Sequence, residues 1–448
     1  MTKLKKIYIC TNCGHKEIKW QGKCPSCGAW NSFEEDVIAS PSKKTQIKQL
    51  TDFSSPPIRL SDIKSQAIEK KPTGIAELDR VLDGGTIGGQ IILVGGVPGI
   101  GKSTLMLSVA SSFASNKNEV LYVSGEESLT QISHRAERIS VKNSQITILC
   151  ESDITKIIQA IDNLNCSLLI IDSIQTLYHP EIPSSPSSPL QIRYVTSEII
   201  KAAKSKNIVT FILAHVTKEG DIAGPKLLEH MVDTVLYFEA DVKGPYRILR
   251  SFKNRFGSVD EIGIFELNDK GIFSSHIEIT PSEITPIAGK THTCIVEGTR
   301  AFITRIEALV SRTFYPYPKR VFYSIDSNYA QILLASIEKN TRFKLESYDV
   351  YINIPTAFKT KDKASDLAVC GAVLSSLTNT KLPKSTAFIG EVGMLGQVYP
   401  VSYITKRINE LEKNGFKMVI IPDVKEKIDS KIEIIKISHI SEIERFFQ

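Results

Sequence analysis

GGVPGIGKST, residues 95–104, decides the fold of the central part of this chain. Its inner pattern, Gly96-x₄-Gly101-Lys102-Ser103, is a full Walker A motif. The apolar run IILV precedes it, and STLMLSVASSFA, apolar at helical spacing, follows it. A strand, a glycine loop and a helix in that order make a phosphate cradle, because N–H groups of the loop and of the helix N-terminus converge on an anion. The motif therefore assigns Gly96, Val97, Pro98, Gly99, Ile100, Gly101, Lys102, Ser103 and Thr104 to nucleotide binding. Lys102 reaches the β- and γ-phosphates in this reading, and Ser103 ligates Mg²⁺.

The surrounding sequence repeats the same grammar. IILVGG, VLYVSG, ITILC, LLIID and IVTFILAH read as buried parallel strands, separated by segments of helical spacing. This alternation, from about residue 60 to 275, predicts an α/β unit with a parallel sheet covered by helices. LLIID ends in Asp172, a Walker B pattern that places a carboxylate on the magnesium shell. VLYVSGEES ends its strand in two carboxylates, and either Glu126 or Glu127 can orient and deprotonate an attacking water. Glu126 is preferred, with Glu127 as a cap of the next helix. His215, at the end of FILAH, is either a γ-phosphate sensor or a satisfied core histidine. HPEIPSSPSSPL, residues 179–190, reads as a mobile surface loop.

Towards the N-terminus lies a different chemistry. Cys10, Cys13, Cys24 and Cys27 are spaced C-x₂-C-x₁₀-C-x₂-C. Each C-x₂-C pair turns two thiolates toward one metal, and four soft thiolates close a tetrahedral Zn²⁺ shell, so the site is structural. A redox disulfide pair is the alternative, disfavoured by a reducing compartment. Lys16, Lys19, Trp20, Lys23 and Trp30 would suit single-stranded DNA, or the segment is a docking module whose tryptophans pack on its own small core. The four other cysteines, 150, 166, 294 and 370, stand singly in apolar contexts and read as core residues.

At 448 residues the chain is expected to hold two or three domains. The expected division is a Cys₄ zinc knuckle over 1–33, a Ser/Lys/Pro/Thr linker over 34–60, a P-loop ATPase domain over 61–280 and an α+β domain over 285–448. In the last, AFITRIEALV and YDVYINIP read as strands, SDLAVCGAVLSSL as a helix and STAFIGEVGMLGQVYPV as a hairpin. SYITKRINELEKNG reads as a helix with a Ser402 cap and Gly415 as its stop. A formal charge of +6 permits a nucleic-acid partner without demanding one. No run approaches the roughly eighteen apolar residues of a membrane span. MTKLKKIYIC has no apolar h-region, which predicts a cytoplasmic protein.

Taken together, GGVPGIGKST, VLYVSGEES, LLIIDSIQT and FILAHVTKEG resemble a RecA-like ATPase core. SFKNRFGS, residues 251–258, with its Lys-Asn-Arg-Phe-Gly pentapeptide, narrows the resemblance to the bacterial RadA (Sms) family of DNA repair proteins. The knuckle, core, pentapeptide and C-terminal region stand in that family's order.

The resemblance implies a hexameric ring that binds ATP between neighbours. Lys253 and Arg255 then reach the next subunit's phosphates, or DNA in the channel; by themselves they read as a solvated basic turn. It also implies an ATP-driven motor on single-stranded and branched DNA that extends recombination intermediates by branch migration alongside the RecA recombinase. Segments 179–193 and 217–227 are the candidate channel loops. The last domain is implied to be Lon-protease-like, a fold that carries a Ser–Lys dyad when active. Here Ala364 stands at the serine position and Thr405 at the lysine position, with Ser365 and Lys406 one residue beyond each. A one-residue shift turns a helical side chain by about 100°. This predicts a non-proteolytic scaffold, with Lys359, Lys361 and Lys363 as basic surface. An ATP-dependent serine protease is the alternative, and a nucleotide switch or autokinase a third.

Overall fold

The computed structural model describes residues 4–12, 15–17, 19–39, 59, 69–115, 118–142, 145–216, 227–240, 246–275, 285–355 and 362–447. They fall into two compact units, one ending at Ser275 and one beyond it. Cys13, most of the linker, the segment 217–226, Lys359 and Lys361 lie outside the described residues.

The first unit opens with a small antiparallel sheet of β1 (Leu4–Cys10), β2 (Lys16–Glu17) and β3 (Phe33–Ala39), in the order β2-β1-β3. Residues 34–39, expected as the start of the linker, are strand instead, because Glu34 to Ala39 pair with Ile9 to Leu4.

Helix α1 (Ala76–Val81) precedes β4 (Ile91–Gly96), α2 (Lys102–Ser115), β5 (Val120–Ser124), α3 (Leu129–Arg138) and β6 (Ile146–Cys150). Then come α4 (Ile154–Asn163), β7 (Leu168–Asp172), α5 (Pro189–Ser205) and β8 (Val209–His215). All five expected strands are present, parallel, in the order β4-β8-β7-β5-β6. The β4 side chains show why the run is continuous: Ile92 and Val94 enter one core and Ile91 and Leu93 the other, one on each face of the sheet. Each such burial contributes about 1.5–3 kcal/mol relative to exposure.

The unit continues through α6 (Leu227–Met231), β9 (Thr234–Ala240), β10 (Tyr246–Asn254), β11 (Ile262–Asn268) and β12 (Gly271–Ser274). Strand β9 pairs parallel to β4, and β10, β11 and β12 extend the sheet as an antiparallel meander. The sheet is thus mostly parallel with an antiparallel end. Of segment 179–190, expected as a mobile loop, the last two residues open α5 and the rest is tied down by Gln191. The Gln191 amide donates to the carbonyls of His179, Ile182 and Ser184, and its oxygen accepts the His179 N–H.

The second unit contains β13 (Lys290–Glu297), β14 (Arg300–Arg312), β15 (Arg320–Tyr323), α7 (Ser327–Asn340), β16 (Tyr348–Asn353) and α8 (Asp366–Leu377). It closes with β17 (Thr386–Phe388), β18 (Glu391–Val392), β19 (Val398–Tyr399), α9 (Ile404–Lys413), β20 (Met418–Pro422) and β21 (Glu433–Ile437). The expected hairpin is shorter than its sequence pattern: β18 and β19 form it, while β17 joins β20 and β21 in a parallel sheet. Ser402 does not cap α9. Tyr403 holds the cap position at φ 58°, and the Ser402 carbonyl accepts from the Arg407 guanidinium. No described helix is long and apolar enough to cross a membrane.

Candidate functional site: a phosphate loop and a cysteine cluster

The glycine loop sits between the C-terminal end of β4 and the first turn of α2, at the edge where open parallel sheets bind ligands. Two glycines are required by geometry. A Cβ on Gly96 would stand 2.9 Å from the Phe238 carbonyl, and Gly101 holds a φ of +112°. Ile100 and Thr104 are buried and anchor the loop, whereas Val97, Pro98 and Gly99 face solvent. Ser103 begins α2 beside Lys102.

Lys102 is buried, and its ammonium donates to the loop carbonyls of Gly96 at 2.7 Å and Val97 at 3.2 Å. Burial lowers its pKa to about 8, against the opposing pull of Asp172 and Glu126. Asp172, at the end of β7, is buried too. It accepts from the Tyr122 hydroxyl at 2.6 Å and from Ser103, and burial raises its pKa.

The two adjacent glutamates are separated by the structure. Glu126 accepts from the Ser173 hydroxyl and lies 3.0 Å from Nε2 of His215, whose Nδ1 is 3.4 Å from the Lys102 ammonium. Glu127 is held instead by both terminal nitrogens of Arg135. It caps no helix, contrary to expectation. Ser128 does so, through a capping box with Gln131. Lys102, Glu126, Asp172 and His215 thus share one site. Sequence reasoning missed Tyr122 and Ser173, although Ser173 follows the Walker B aspartate directly.

Lys253 and Arg255 are not in that cluster. Lys253 donates to the carbonyls of Glu229 at 2.8 Å and Val232 at 2.7 Å, at the C-terminal end of α6, where a cation suits the helix dipole. Its pKa is lowered, chiefly by burial. Arg255 lies 3.5 Å from the buried Asp233, which also pairs with Lys204. Lys253 is thus held by carbonyls, while Arg255, 56% exposed, makes one longer ion pair.

In the small sheet, the Sγ atoms of Cys10, Cys24 and Cys27 lie within 4.8 Å of one another, with Cys10 and Cys27 at 3.7 Å. Two thiolates at Zn–S distances of about 2.3 Å in a tetrahedron stand about 3.8 Å apart, so the cluster fits Zn²⁺. The phosphate site fits Mg²⁺ and a nucleotide by its donors: a hydroxyl and a carboxylate, hard oxygens, beside a cationic glycine loop.

In the second unit the residues of the expected dyad slots have separate partners. Ala364 is fully buried in an apolar cluster, and the Ser365 hydroxyl donates to the Asp362 carbonyl at 3.1 Å. Thr405 donates to Glu426, and Lys406 to the Thr299 carbonyl. The buried Arg407 guanidinium, one residue beyond Lys406, lies 2.6 Å from Asp362 and 2.6 Å from the Cys294 carbonyl.

Three domain families match parts of the chain. A rubredoxin metal-binding domain covers residues 8–35, a DnaB-like helicase C-terminal domain 71–191, and the subunit ChlI of Mg-chelatase 329–425. Over nearly the whole length, the chain is similar to the DNA repair protein RadA of Bacillus subtilis, at 42% identity over 94% of this chain and 93% of the relative. The protein of the same name from Helicobacter pylori strain 26695 is also 42% identical, over 94% of this chain and 95% of its own. That of Halalkalibacterium halodurans is 40% identical over 99% and 98%.

Proposed function

The chain belongs to the RadA family of bacterial DNA repair proteins, and from that premise we propose that it is a DNA-dependent ATPase that moves along single-stranded DNA to extend recombination intermediates by branch migration, alongside the RecA recombinase. The grouping of Lys102, Glu126, Asp172 and His215 at one sheet edge carries this reading.

The proposed division of labour follows from charge and reach. Residues 96–104 bind the triphosphate, with Lys102 turning from its own loop carbonyls to the β- and γ-phosphates. Ser103 and Asp172 would hold Mg²⁺, which would neutralise charge on the phosphoryl oxygens. Tyr122 and burial orient Asp172. Glu126 takes a proton from the attacking water and passes it toward His215, 3.0 Å away. His215, between Glu126 and Lys102, couples the phosphate end of the site to the base. Lys253 and Arg255 act in trans: in a homohexameric ring they face the neighbouring subunit's nucleotide and stabilise transition-state charge only in the assembled ring.

The accompanying domain reading keeps the zinc module at 1–33, with β3 carrying it to Ala39, the linker to 60, the ATPase at 61–280 and a Lon-like, non-proteolytic scaffold at 285–448. The separate partners of Ser365 and Lys406 speak against the protease alternative, since an unactivated serine is a poor nucleophile. The test is ATP hydrolysis by the full chain with and without single-stranded DNA, beside Lys102→Met. DNA stimulation that the substitution abolishes supports the reading. Hydrolysis indifferent to DNA contradicts it.

A further inference from the structure

Trp20 and Trp30 are the only tryptophans in the chain, and both lie in the cysteine module, between β2 and β3. Neither packs on that module's core. Among the described residues that core comprises Cys10, Cys24 and Phe33, with Tyr8 against it. Trp20 is 52% exposed and Trp30 72%, far from what an indole does when it serves its own fold. Leaving two indoles in water costs free energy that a module this small needs, so their exposure points to a partner.

Their placement says what kind. The six-membered rings of both indoles come within 4.0 Å of the point where a side chain on Gly22 would begin. Gly22 is held there by the Asn31 N–H, which donates to its carbonyl at 2.8 Å, and by the bridge pairing Lys23 with Trp30. The absent side chain leaves that point, beside both rings, unfilled. The Lys23 ammonium stands 5.5 Å from the centre of the Trp30 ring, and Lys19 is exposed next to Trp20. From Lys19 to Ser32 the sequence carries two lysines and no carboxylate.

We infer that this surface of the zinc module is a stacking site for an unpaired base of single-stranded DNA, with Trp20 and Trp30 flanking the base over Gly22 and Lys19 and Lys23 meeting the adjacent phosphates. Indole faces stack on any base, so the site carries no sequence preference, and lysines add a salt-dependent hold on the backbone. Paired bases are excluded, because their faces are covered by their neighbours. The inference rests on the proposal that the chain works on single-stranded DNA, and assigns one part of that contact to the zinc module.

The chain's tryptophan emission comes from these two residues alone, which makes the test direct. Oligo(dT) of about thirty nucleotides is titrated into the zinc-loaded full chain while emission and DNA-stimulated ATP hydrolysis are followed in parallel. Quenching that saturates with the oligonucleotide, and is much weaker with a blunt duplex of equal length, is expected. Trp20→Ala and Trp30→Ala should each weaken DNA binding, measured by fluorescence anisotropy of labelled DNA, by between about 5-fold and 100-fold. Gly22→Val is the control against misfolding: its backbone is not in the left-handed region and its Cβ meets the rings at ordinary contact distances of 3.8 to 4.0 Å. It should retain zinc and still weaken binding by occupying the open position. Emission unmoved at DNA concentrations that fully stimulate hydrolysis overturns the inference and makes the module a protein-docking surface, while the motor proposal stands. Equal quenching by duplex also overturns it. No binding and no stimulation by any DNA refutes both.

Discussion

Nε2 of His215 lies 3.0 Å from the carboxylate of Glu126, while its other ring nitrogen lies 3.4 Å from the ammonium of Lys102. One imidazole therefore bridges the residue proposed to grip the phosphates and the residue proposed to activate water. Glu127, one position along, faces Arg135 instead.

That difference predicts unequal effects of two similar substitutions. Glu126→Gln should lower kcat for ATP hydrolysis by about 10²–10⁴-fold with little change in nucleotide affinity. Glu127→Gln should act mainly through the loss of its ion pair with Arg135, changing kcat by less than about tenfold. Steady-state kinetics on both variants decide it, and the reverse ranking would move the base to Glu127.

Lys102 titrates near pH 8 in the free chain because burial disfavours its charge. Phosphate binding favours the charged form, so ATP binding above about pH 8 should take up a proton, and affinity should fall between pH 7.5 and 9.5. Calorimetry in two buffers of different ionisation enthalpy measures the uptake. Lys102→Met should show no such uptake from this group, and an unchanged proton count would place the titrating group elsewhere.

Some of this was legible in the sequence and some was not. The phosphate loop and cysteine pairs are local patterns, and the parallel strands announce themselves as short apolar runs, so both were readable. The choice between Glu126 and Glu127 was not. It depends on Arg135, eight positions from Glu127 on helix α3, and on His215, which only strand order brings near. The capping box at Ser128 was the signal that could have freed Glu127 from a capping role. The end of the zinc module was misjudged because FEEDVIA carries three acidic residues, and only its pairing with β1 makes it a strand. The ion pair of Asp362 and Arg407 joins residues 45 positions apart, and no local pattern links them.

That ion pair predicts a large stability effect. Arg407 is 1% exposed, and Asp362→Ala would leave its guanidinium buried without its carboxylate. The second unit should lose about 3–5 kcal/mol, read from chemical denaturation of the full chain followed by a probe in that unit. Adding Arg407→Leu should recover part of the loss. A loss below about 1 kcal/mol would show that the pair is solvated.

Asp366 gives the same unit a pH dependence. It is buried, accepts from the Tyr329 hydroxyl and the Val392 N–H, and burial raises its pKa to about 7. The folded state then holds a proton that the unfolded state has lost between about pH 4 and 7, so this group's contribution to stability falls as pH rises through that window. Asp366→Asn should flatten the dependence and gain stability relative to the parent at pH 8. A parent whose stability in this unit is flat or rising from pH 4 to 7 would contradict it.

The central claim is that hydrolysis at the Lys102 site drives movement on DNA. The most direct measurement is branch migration of a joint molecule made by RecA from labelled single-stranded and duplex DNA, followed with the full chain, ATP and Mg²⁺, against Lys102→Met and Glu126→Gln. The account predicts extension of the joint by the parent chain only, at a rate that follows its hydrolysis. Extension by all three proteins alike, or by none while the parent hydrolyses ATP in a DNA-stimulated way, would contradict it.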